Sequence, residues 1–309
     1  MMLTPRLALL LTLPPLMWAG NAVVGRMVST SVPPLLLNAM RWSLVFLLLL
    51  PLAWRLLRRP AALLARWPYL LLIGVLGMGC YNALQYQALR SSTALNVTLI
   101  TASMPVWMLA VGALMYGVRP SRQQFWGALL SLLGVALVIT HGQLERLREL
   151  QFLPGDLLML LAIFSWAVYS WLLARPPAHM QGEQKPAWNW AETMMSQLVF
   201  GLLFAAGSAG LEQSWTEQPL VWGPGLALAL AYVAIGPSLI AYRCWGQGVA
   251  EAGPTLAGFF VNLTPVFAAL MSAALLGEWP AWYHGLAFAL IAAGIVVSAR
   301  PARSPDRSL

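Results

Sequence analysis

The chain has 309 residues, of which 60% are hydrophobic and only 9% are charged. A water-soluble fold of this length could not bury so much apolar surface and would carry far more charge, so the composition excludes a soluble protein. The formal net charge of +8 does not indicate a nucleic-acid partner, because the basic residues lie in short stretches between long apolar runs. In membrane proteins Lys and Arg at such places set the orientation of the chain.

Ten apolar segments of roughly twenty residues follow one another along the chain. Each is long enough to cross the ~30 Å hydrocarbon core of a bilayer as an α-helix. In chain order the predicted spans are 7–27, 34–54, 68–88, 93–116, 122–140, 155–174, 190–210, 222–247, 254–276 and 281–299. The sequence therefore predicts an all-α membrane protein with ten transmembrane helices.

The positions of the basic residues predict the orientation of these spans. With the N-terminus inside, twelve Lys and Arg residues fall in the inner loops and four at the outer ends. By the positive-inside rule, both termini are expected in the cytoplasm. The outer loop at 141–153 carries Leu144, Leu147 and Leu150 on one helical face, which suits a short interfacial helix.

The second half of the chain repeats the first. At one constant offset of 160 residues, the matches are Gln87 with Gln247, Pro105-Val106 with Pro265-Val266, Gly117 with Gly277, Pro120 with Pro280 and Gly134 with Gly294. The first helix of each half aligns at a different offset, 148, which pairs Trp18 with Trp166. Because each half has an odd number of spans, five, the second half must enter the membrane from the opposite side.

The expected organisation is therefore two inverted five-helix repeats. The first repeat covers residues 1–140 and the second covers 154–300, with 141–153 as an external connecting loop and 301–309 as a cytoplasmic tail. Inverted repeats of this kind are typical of secondary transporters, whose substrate site lies near the membrane midplane between the two halves.

Polar residues inside the predicted spans are the candidates for that site, because burying each one in hydrocarbon costs free energy. Arg41 lies about seven residues into span two, with Asn38 one turn away on the same face, so both could line a polar cavity. Alternatively, Arg41 snorkels outward and binds a neighbouring helix end. In span three, Asn82, Gln85 and Tyr86 form a polar stripe that either lines the cavity or bonds to another helix.

Three further groups of residues extend the predicted substrate site. Asn96 in span four and Asn262 in span nine each precede a proline. In the first helix Trp18 and Asn21 lie one turn apart, and the equivalent pair in the second half is Trp166 and Tyr169. An aromatic ring over a polar group could hold an amphipathic solute, although core packing explains these pairs equally well.

Pro105 and Pro265 occupy matching places in spans four and nine. A proline within a helix removes a backbone hydrogen bond and kinks the helix. Such paired kinks beside the midplane could act as hinges for alternating access. The alternative is static packing around a tolerated proline.

Catalytic and metal-binding patterns are not found in the sequence. Its three histidines form no helical metal pair, and no nucleophile–base arrangement or glycine-rich phosphate loop is present. We therefore expect neither an enzyme nor a cofactor or metal. The carboxylates lie near span ends, so proton coupling, if used, would fall to groups such as Glu278 and His284.

Several short motifs are distributed in order along the two halves. They are Trp18-Ala19-Gly20-Asn21, Arg41-Trp42, Met104-Pro105-Val106, Gly127 and Gly134 in the first half, and Trp166-Ala167, Thr264-Pro265-Val266 and Leu276-Gly277-Glu278 in the second. In order and spacing the chain resembles the EamA-type members of the drug/metabolite transporter superfamily. One departure is that Arg119, rather than an acidic residue, follows Gly117-Val118 in the first half. The resemblance implies a multi-pass exporter of the bacterial inner membrane, and members of the family handle amino acids among other small solutes.

The expected function is export of small metabolites, such as amino acids or amphipathic drugs, by alternating access. The expected partners are a small-molecule substrate and the lipid bilayer, with no nucleic acid; protein partners are left open. Two alternatives remain at this point: a phosphorylated-sugar or nucleotide-sugar exchanger of the same superfamily, which needs several cations, and a non-transporting membrane scaffold.

Overall fold

The computed structural model describes residues 3–92, 94–149, 151–276 and 281–300. Every regular element within these ranges is a helix. The expected coupling residue Glu278 and the predicted tail at 301–309 lie outside the described residues.

Fifteen α-helices form the described part of the chain. In the first half they are α1 Pro5–Met27, α2 Pro34–Leu57, α3 Pro60–Leu64, α4 Trp67–Gly74, α5 Tyr81–Ser91, α6 Ala94–Ala102, α7 Met104–Tyr116 and α8 Arg122–Ile139. In the second half they are α9 Pro154–Ala174, α10 Trp190–Gln213, α11 Pro224–Val233, α12 Ala241–Ala252, α13 Pro254–Val261, α14 Thr264–Leu276 and α15 Trp282–Ala299. Two π-helical turns, Val75–Cys80 and Ala234–Ile240, join α4 to α5 and α11 to α12. The loop before α9 contains a 3₁₀ helix at Leu144–Glu149.

The helix boundaries follow local sequence signals. Proline lies in the first turn of α2, α7, α9, α11 and α13, where its missing N–H would have no intrahelical partner in any case. Ser121 caps the start of α8: its hydroxyl accepts from the Gln124 amide at 3.2 Å, while the Gln124 side chain accepts from the Ser121 amide at 2.8 Å. Gly117 caps the end of α7, and its φ of 66° lies in the left-handed region that favours glycine.

Eight helical segments are long and apolar enough to cross a membrane, or nine if the bent pair of α6 and α7 is counted as one span. The difference from the ten predicted spans arises at Pro224–Val261, a 38-residue segment. This segment covers most of the predicted eighth span and the beginning of the ninth. Within it, α12 ends and α13 begins on either side of Gly253, whose φ is 79°.

The helix boundaries repeat along the chain. From the π-helical turns onward, the second half follows the first at the sequence offset of 160: α5, α6, α7 and α8 begin at residues 81, 94, 104 and 122, and α12, α13, α14 and α15 begin at 241, 254, 264 and 282. Helices α2 and α10 have the same length, 24 residues, at an offset of 156. The offset grows along the chain because the second half has longer connecting loops.

The close contact between α8 and α15 shows the repeat in three dimensions. A Cβ atom on Gly127 would lie 2.7 Å from the carbonyl oxygen of Gly294, and one on Gly134 would lie 2.8 Å from that of Ala287. At the offset of 160, Gly127 corresponds to Ala287 and Gly134 to Gly294, so the two approaches are equivalent contacts, as at a twofold interface. Small residues at these positions let the two helix backbones approach closely.

The two halves interlock rather than lying side by side. Helix α1 packs against α12, α13 and α14 of the second half, and α9 packs in the same way against α5, α6 and α7 of the first half. Helix α2 packs along its counterpart α10. The junction between the halves therefore passes through the centre of the molecule.

Candidate functional site

Seven aromatic side chains from five helices meet at this junction. This central aromatic cluster consists of Trp18 on α1, Trp42 on α2, Tyr81 on α5, Trp166 and Tyr169 on α9, and Tyr242 and Trp245 on α12. Trp166 lies at its middle and is 2% exposed. Its ring centroid lies 5.1 to 5.5 Å from those of Trp18, Tyr81, Tyr169, Tyr242 and Trp245. Ring pairs at these distances are favourable beyond their burial alone.

The polar ends of the cluster bind carbonyl oxygens of the two π-helical turns. The Tyr242 hydroxyl donates to the Gly77 carbonyl at 2.6 Å, and the Trp18 indole donates to the Pro237 carbonyl at 3.2 Å. Gly77 and Pro237 correspond at the offset of 160. Each π-helical turn therefore accepts a hydrogen bond, at the equivalent carbonyl, from an aromatic side chain of the other half. π-Helical turns are frequent at functional sites.

Arg41 lies next to this cluster and is 2% exposed. Its guanidinium carbon is 5.0 Å from the centroid of the Trp42 ring, and its Nε atom has no hydrogen-bond partner among the described residues. Both polar side-chain atoms of Asn38, which is fully buried, are likewise unpartnered within the described part of the chain. A buried cation is costly unless it is paired, so the geometry favours an anionic group beside Arg41.

Other predicted amides share this property. Buried side-chain atoms without a partner in the described ranges include Asn21 Oδ1, Asn82 Nδ2 and both polar atoms of Asn262. Asn82 also lies beside the Tyr242 hydroxyl of the aromatic cluster. Because buried polar atoms in folded proteins nearly always have partners, each of these atoms is a candidate to bind a ligand or another polar group.

Gln85 and Tyr86, the other members of the predicted stripe on α5, are half-buried. Gln85 lies beside the Tyr81 hydroxyl, and Tyr86 lies near Tyr242. The stripe therefore faces the central aromatic cluster along its length.

Asn96 lies away from the other predicted site residues. Its amide donates to the Gln151 carbonyl at 2.8 Å and to the Asp156 carboxylate at 2.7 Å. Ser92 donates to the same carboxylate, and the Leu153 amide donates to it at 2.8 Å. These bonds attach α6 to the start of α9, and they give Asn96 a structural role.

A second buried carboxylate binds the start of α2. Glu212, at the end of α10, accepts hydrogen bonds from the backbone amides of Leu35 and Leu36 at 2.8 and 3.0 Å. These amides belong to the first turn of α2, which has no intrahelical partners for them. A carboxylate there also interacts favourably with the helix dipole, so Glu212 helps to place the helix that carries Asn38 and Arg41.

Pro105 and Pro265 are not in mid-helix, where the sequence placed them. Each is the second residue of a new helix, because α6 ends at Ala102 before α7, and α13 ends at Val261 before α14. The axes of α6 and α7 differ by 46°. The proline therefore begins a helix after a break, where its missing amide hydrogen costs little.

His284 lies in the first turn of α15, a helix that contributes no side chain to the central aromatic cluster. The backbone amide of Ala281 donates to its Nδ1 atom at 3.0 Å.

Within the described ranges no three His, Cys, Asp or Glu side chains lie close enough together to hold a metal ion.

Four members of the aromatic cluster were not among the predicted site residues: Trp42, Tyr81, Tyr242 and Trp245. The repeat carried a signal for two of them, since the offset of 160 maps Asn82 onto Tyr242 and Gln85 onto Trp245. Projecting the polar stripe of span three onto span eight would have identified them.

Two cavities formed by described residues lie outside the cluster. One, of about 670 Å³, lies where α2 ends and α10 begins. The other, of about 330 Å³, is lined by residues of α10, α12 and the second π-helical turn, including Arg243. Neither is lined by a predicted substrate-site residue.

A multi-pass helical membrane protein with repeated helix boundaries and unpartnered polar groups at the junction of its halves has the features of a membrane transporter. The sequence pattern of the EamA-like transporter family matches residues 6–140 and 153–300. The chain therefore belongs to the EamA-like transporter family.

Relatives across nearly the whole length carry transporter names. A protein of Archaeoglobus fulgidus named "Uncharacterized transporter" is 27% identical, with 94% of this chain and 96% of the relative covered. The "Uncharacterized inner membrane transporter YedA" of Escherichia coli is 26% identical over 91% of this chain and 87% of its own length. A "Probable amino-acid metabolite efflux pump" of Salmonella typhimurium is 27% identical over 91% and 90%.

A solved structure shares the fold. It is titled "Crystal structure of protein" and superimposes with a TM-score of 0.71 at 24% identity, covering 94% of this chain and 96% of the other.

Proposed function

We propose that this chain is a secondary transporter of the bacterial inner membrane that exports small zwitterionic or amphipathic metabolites, such as amino acids, by alternating access. The observation that carries the proposal is Arg41, a cation buried at the junction of the halves with an unpartnered guanidinium nitrogen. A carboxylate of a bound solute would pair with it through charge-assisted hydrogen bonds.

Other buried polar and aromatic side chains suit the rest of such a solute. The amides of Asn21, Asn38, Asn82 and Asn262 offer donors and acceptors for a polar head group. The rings of Trp18 and Trp166, with the other members of the central aromatic cluster, offer an apolar surface and a place for a cation. Tyr169 and the Gln85–Tyr86 part of the stripe complete the proposed substrate site, whereas Asn96 belongs to it only if its bond to Asp156 breaks during the cycle.

The proposed architecture is ten membrane spans in two inverted five-helix repeats, with both termini in the cytoplasm. The matching helix boundaries and the equivalent contacts of α8 with α15 support a twofold relation between the halves. Gly253 supports a division of the 38-residue segment into two spans, because about 57 Å of continuous helix would exceed the bilayer core by far. The excess of inner-loop arginines supports the orientation.

The breaks before Pro105 and Pro265 are the proposed hinges. A break of this kind leaves backbone groups free of intrahelical bonds, so a small change of dihedral angles there can reorient a half-helix. The 46° bend between α6 and α7 is consistent with one position of such a hinge.

An amino-acid substrate is also suggested by the name of the Salmonella typhimurium relative. A phosphorylated-sugar substrate would need several cations. Among the described residues, Arg41 lies next to the central aromatic cluster, whereas Arg243 is exposed and its guanidinium carbon lies 4.1 Å from the centroid of the Trp190 ring. A single arginine beside the cluster does not supply the several cations that a phosphorylated sugar needs, which counts against this alternative.

The proposal is tested by flux measurements on the full-length chain in proteoliposomes loaded with a panel of amino acids, amphipathic drugs and sugar phosphates. We expect saturable release of one zwitterionic class, with kcat/KM about 10- to 100-fold lower in an Arg41→Gln variant that keeps the wild-type thermal midpoint. The matched control is Arg243→Gln, which removes an exposed arginine and should leave release unchanged. Release of sugar phosphates alone would overturn the substrate class.

A transmembrane pH gradient separates coupled from passive export. If Glu278 or His284 carries the coupling proton, a gradient accelerates release and Glu278→Gln or His284→Gln abolishes the acceleration. Release that is insensitive to the gradient would assign export to the solute gradient alone.

Thiol accessibility separates a transporter from a membrane scaffold. After replacement of Cys80 and Cys244 by serine, the substitutions Gln85→Cys and Asn262→Cys should react with a water-soluble thiol reagent, and bound substrate should slow the reaction. Positions sealed from water under all conditions, together with absent flux, would favour the scaffold.

A further inference from the structure

A basic cavity lies at one end of the helix bundle, away from the proposed substrate site. It is formed by the last turn of α2, by α3 and by the loop before α10, and has a volume of about 670 Å³. Its lining side chains include three arginines, Arg55, Arg58 and Arg59, and one carboxylate, Glu192. Nothing in the proposed transport cycle uses these groups.

The positive charge of this cavity is only partly offset by the described part of the protein. None of the three arginines forms an ion pair with a described residue. Glu192 offsets one of the three positive charges, and its carboxylate accepts from the Asn189 backbone amide at 2.8 Å as part of the helix cap of α10. Arg58 instead lies over the Trp54 ring, with its guanidinium carbon 4.0 Å from the ring centroid.

The cavity lies where two candidate membrane helices end together. Asn189, which precedes α10, donates to the Leu52 carbonyl in the last turns of α2 at 3.3 Å, so the end of one helix is level with the start of the other. Large apolar side chains are exposed around it: Trp54 at 40%, Leu64 at 64% and Trp67 at 49%. Exposed tryptophan and leucine beside arginines mark the level of the lipid head groups.

The loop before α10, which forms one wall of the cavity, is held in place by contacts with Arg66. Arg66 donates to the carbonyls of His179 and Gln184 at 3.3 and 3.1 Å, and its guanidinium carbon lies 5.8 Å from the centroid of the Trp188 ring. Trp188 lines the cavity. These contacts hold the loop before α10 against the connection between α3 and α4 and preserve the shape of the site.

We infer that this cavity binds the phosphate head group of an anionic phospholipid. Three unpaired arginines supply forked donors that match phosphate geometry, and basic pockets between membrane helices are suited to anionic head groups. The exposed Trp54 and Leu64 contact the acyl chains at the same level. A bound lipid would thereby join α2, which carries Arg41, to α10 of the other half.

The test measures lipid binding to the detergent-solubilised full-length chain without any transport assay. Phosphatidylglycerol, phosphatidylcholine or inorganic phosphate is titrated while the thermal midpoint is recorded, because a ligand that binds the folded state raises the midpoint. We expect phosphatidylglycerol to act at a concentration at least about tenfold lower than phosphatidylcholine, and Arg55→Gln/Arg58→Gln/Arg59→Gln to remove this preference. The matched control, Arg119→Gln/Arg122→Gln, removes two exposed arginines outside the cavity and should keep it.

Three results would overturn the inference. These are an absence of preference for phosphatidylglycerol, an equal loss in the control variant, and competition by inorganic phosphate at the concentration at which the lipid acts, which would assign the site to free phosphate. If the triple variant does not fold, Arg58→Gln alone should weaken the preference and Arg58→Lys should retain most of it.

Discussion

The two halves of this transporter share a backbone plan but differ in the chemistry that they bring to the centre. From the π-helical turns onward, helix boundaries in the second half follow those of the first at an offset of 160. At central positions matched at an offset of 148 in the first helix of each half, 156 in the second and 160 in later helices, the side chains differ. The pairs are Asn21 with Tyr169, Arg41 with Gln197, Asn82 with Tyr242 and Gln85 with Trp245.

The first half thus supplies the cation and most of the amides, whereas the second supplies four of the seven rings of the central aromatic cluster. Asn262 is the exception, since its counterpart in the first half is Ala102. The halves thus share packing contacts such as that of α8 with α15, whereas their central side chains differ. In the proposed substrate site this difference would give a bound solute a polar side and an apolar side.

The largest effect is expected where the halves are most alike. Gly134→Leu and Gly294→Leu each push a side chain into a backbone carbonyl of the facing helix at 2.7 to 2.8 Å, so each should cost about 3 kcal/mol or more of stability. The measurement is the yield and thermal midpoint of the folded protein in detergent. Gly207→Leu is the control, since a Cβ there meets nothing within 4 Å. Unequal losses in the two variants would break the equivalence of the halves.

The next effect tests where the halves differ. Loss of a charge-assisted contact in Arg41→Gln should lower kcat/KM for export by about 10- to 100-fold. Gln197→Ala, at the equivalent position of α10, should stay within about threefold of the parent chain. The exchange Arg41→Gln/Gln197→Arg sharpens the comparison further. Flux should remain at the Arg41→Gln level, and recovery would show that the two sides are interchangeable.

The helix starts offer a smaller contrast. The first turn of α2 is bound by Glu212 from another helix, whereas that of α10 is capped locally by Asn189, whose side chain accepts from two amides at 2.8 and 2.9 Å. Glu212→Gln should lower the unfolding free energy by about 1 to 2 kcal/mol and Asn189→Ala by about 1 kcal/mol. Glu217→Gln, at an exposed carboxylate, serves as the control. Only Glu212→Gln should also weaken substrate binding, since α2 carries Arg41.

The smallest effect concerns the hydrogen bond from Tyr242 to the Gly77 carbonyl. Tyr242→Phe removes this donor but keeps the ring, and bonds of this kind in membrane proteins contribute about 0.6 kcal/mol on average. The thermal midpoint should therefore fall only slightly. A loss above about 2 kcal/mol would mean that the π-helical turn itself depends on the bond.

Local pattern in the sequence was enough to locate the helices and to detect the repeat. Predicted segments such as 34–54 and 122–140 lie within a few residues of α2 and α8, because the length of an apolar run decides whether it forms a membrane helix. The same pattern identified Arg41, Asn38 and Asn262 as buried polar residues, since such residues stand out against an apolar background. Helix ends were less accurate where proline begins a helix after a break, as at Pro105.

Which of these residues meet depends on the tertiary packing. The partner of Asn96 is Asp156, 60 residues away, and the partner of Gly77 is Tyr242, 165 residues away. Hydrophobic periodicity reports which face of a helix is buried but not which helix covers it, because lipid and protein interiors are almost equally apolar. Composition and repeat thus determined the membrane fold and its family, whereas the packing of α1, α2, α9 and α12 across the junction brought together the central aromatic cluster of the proposed site.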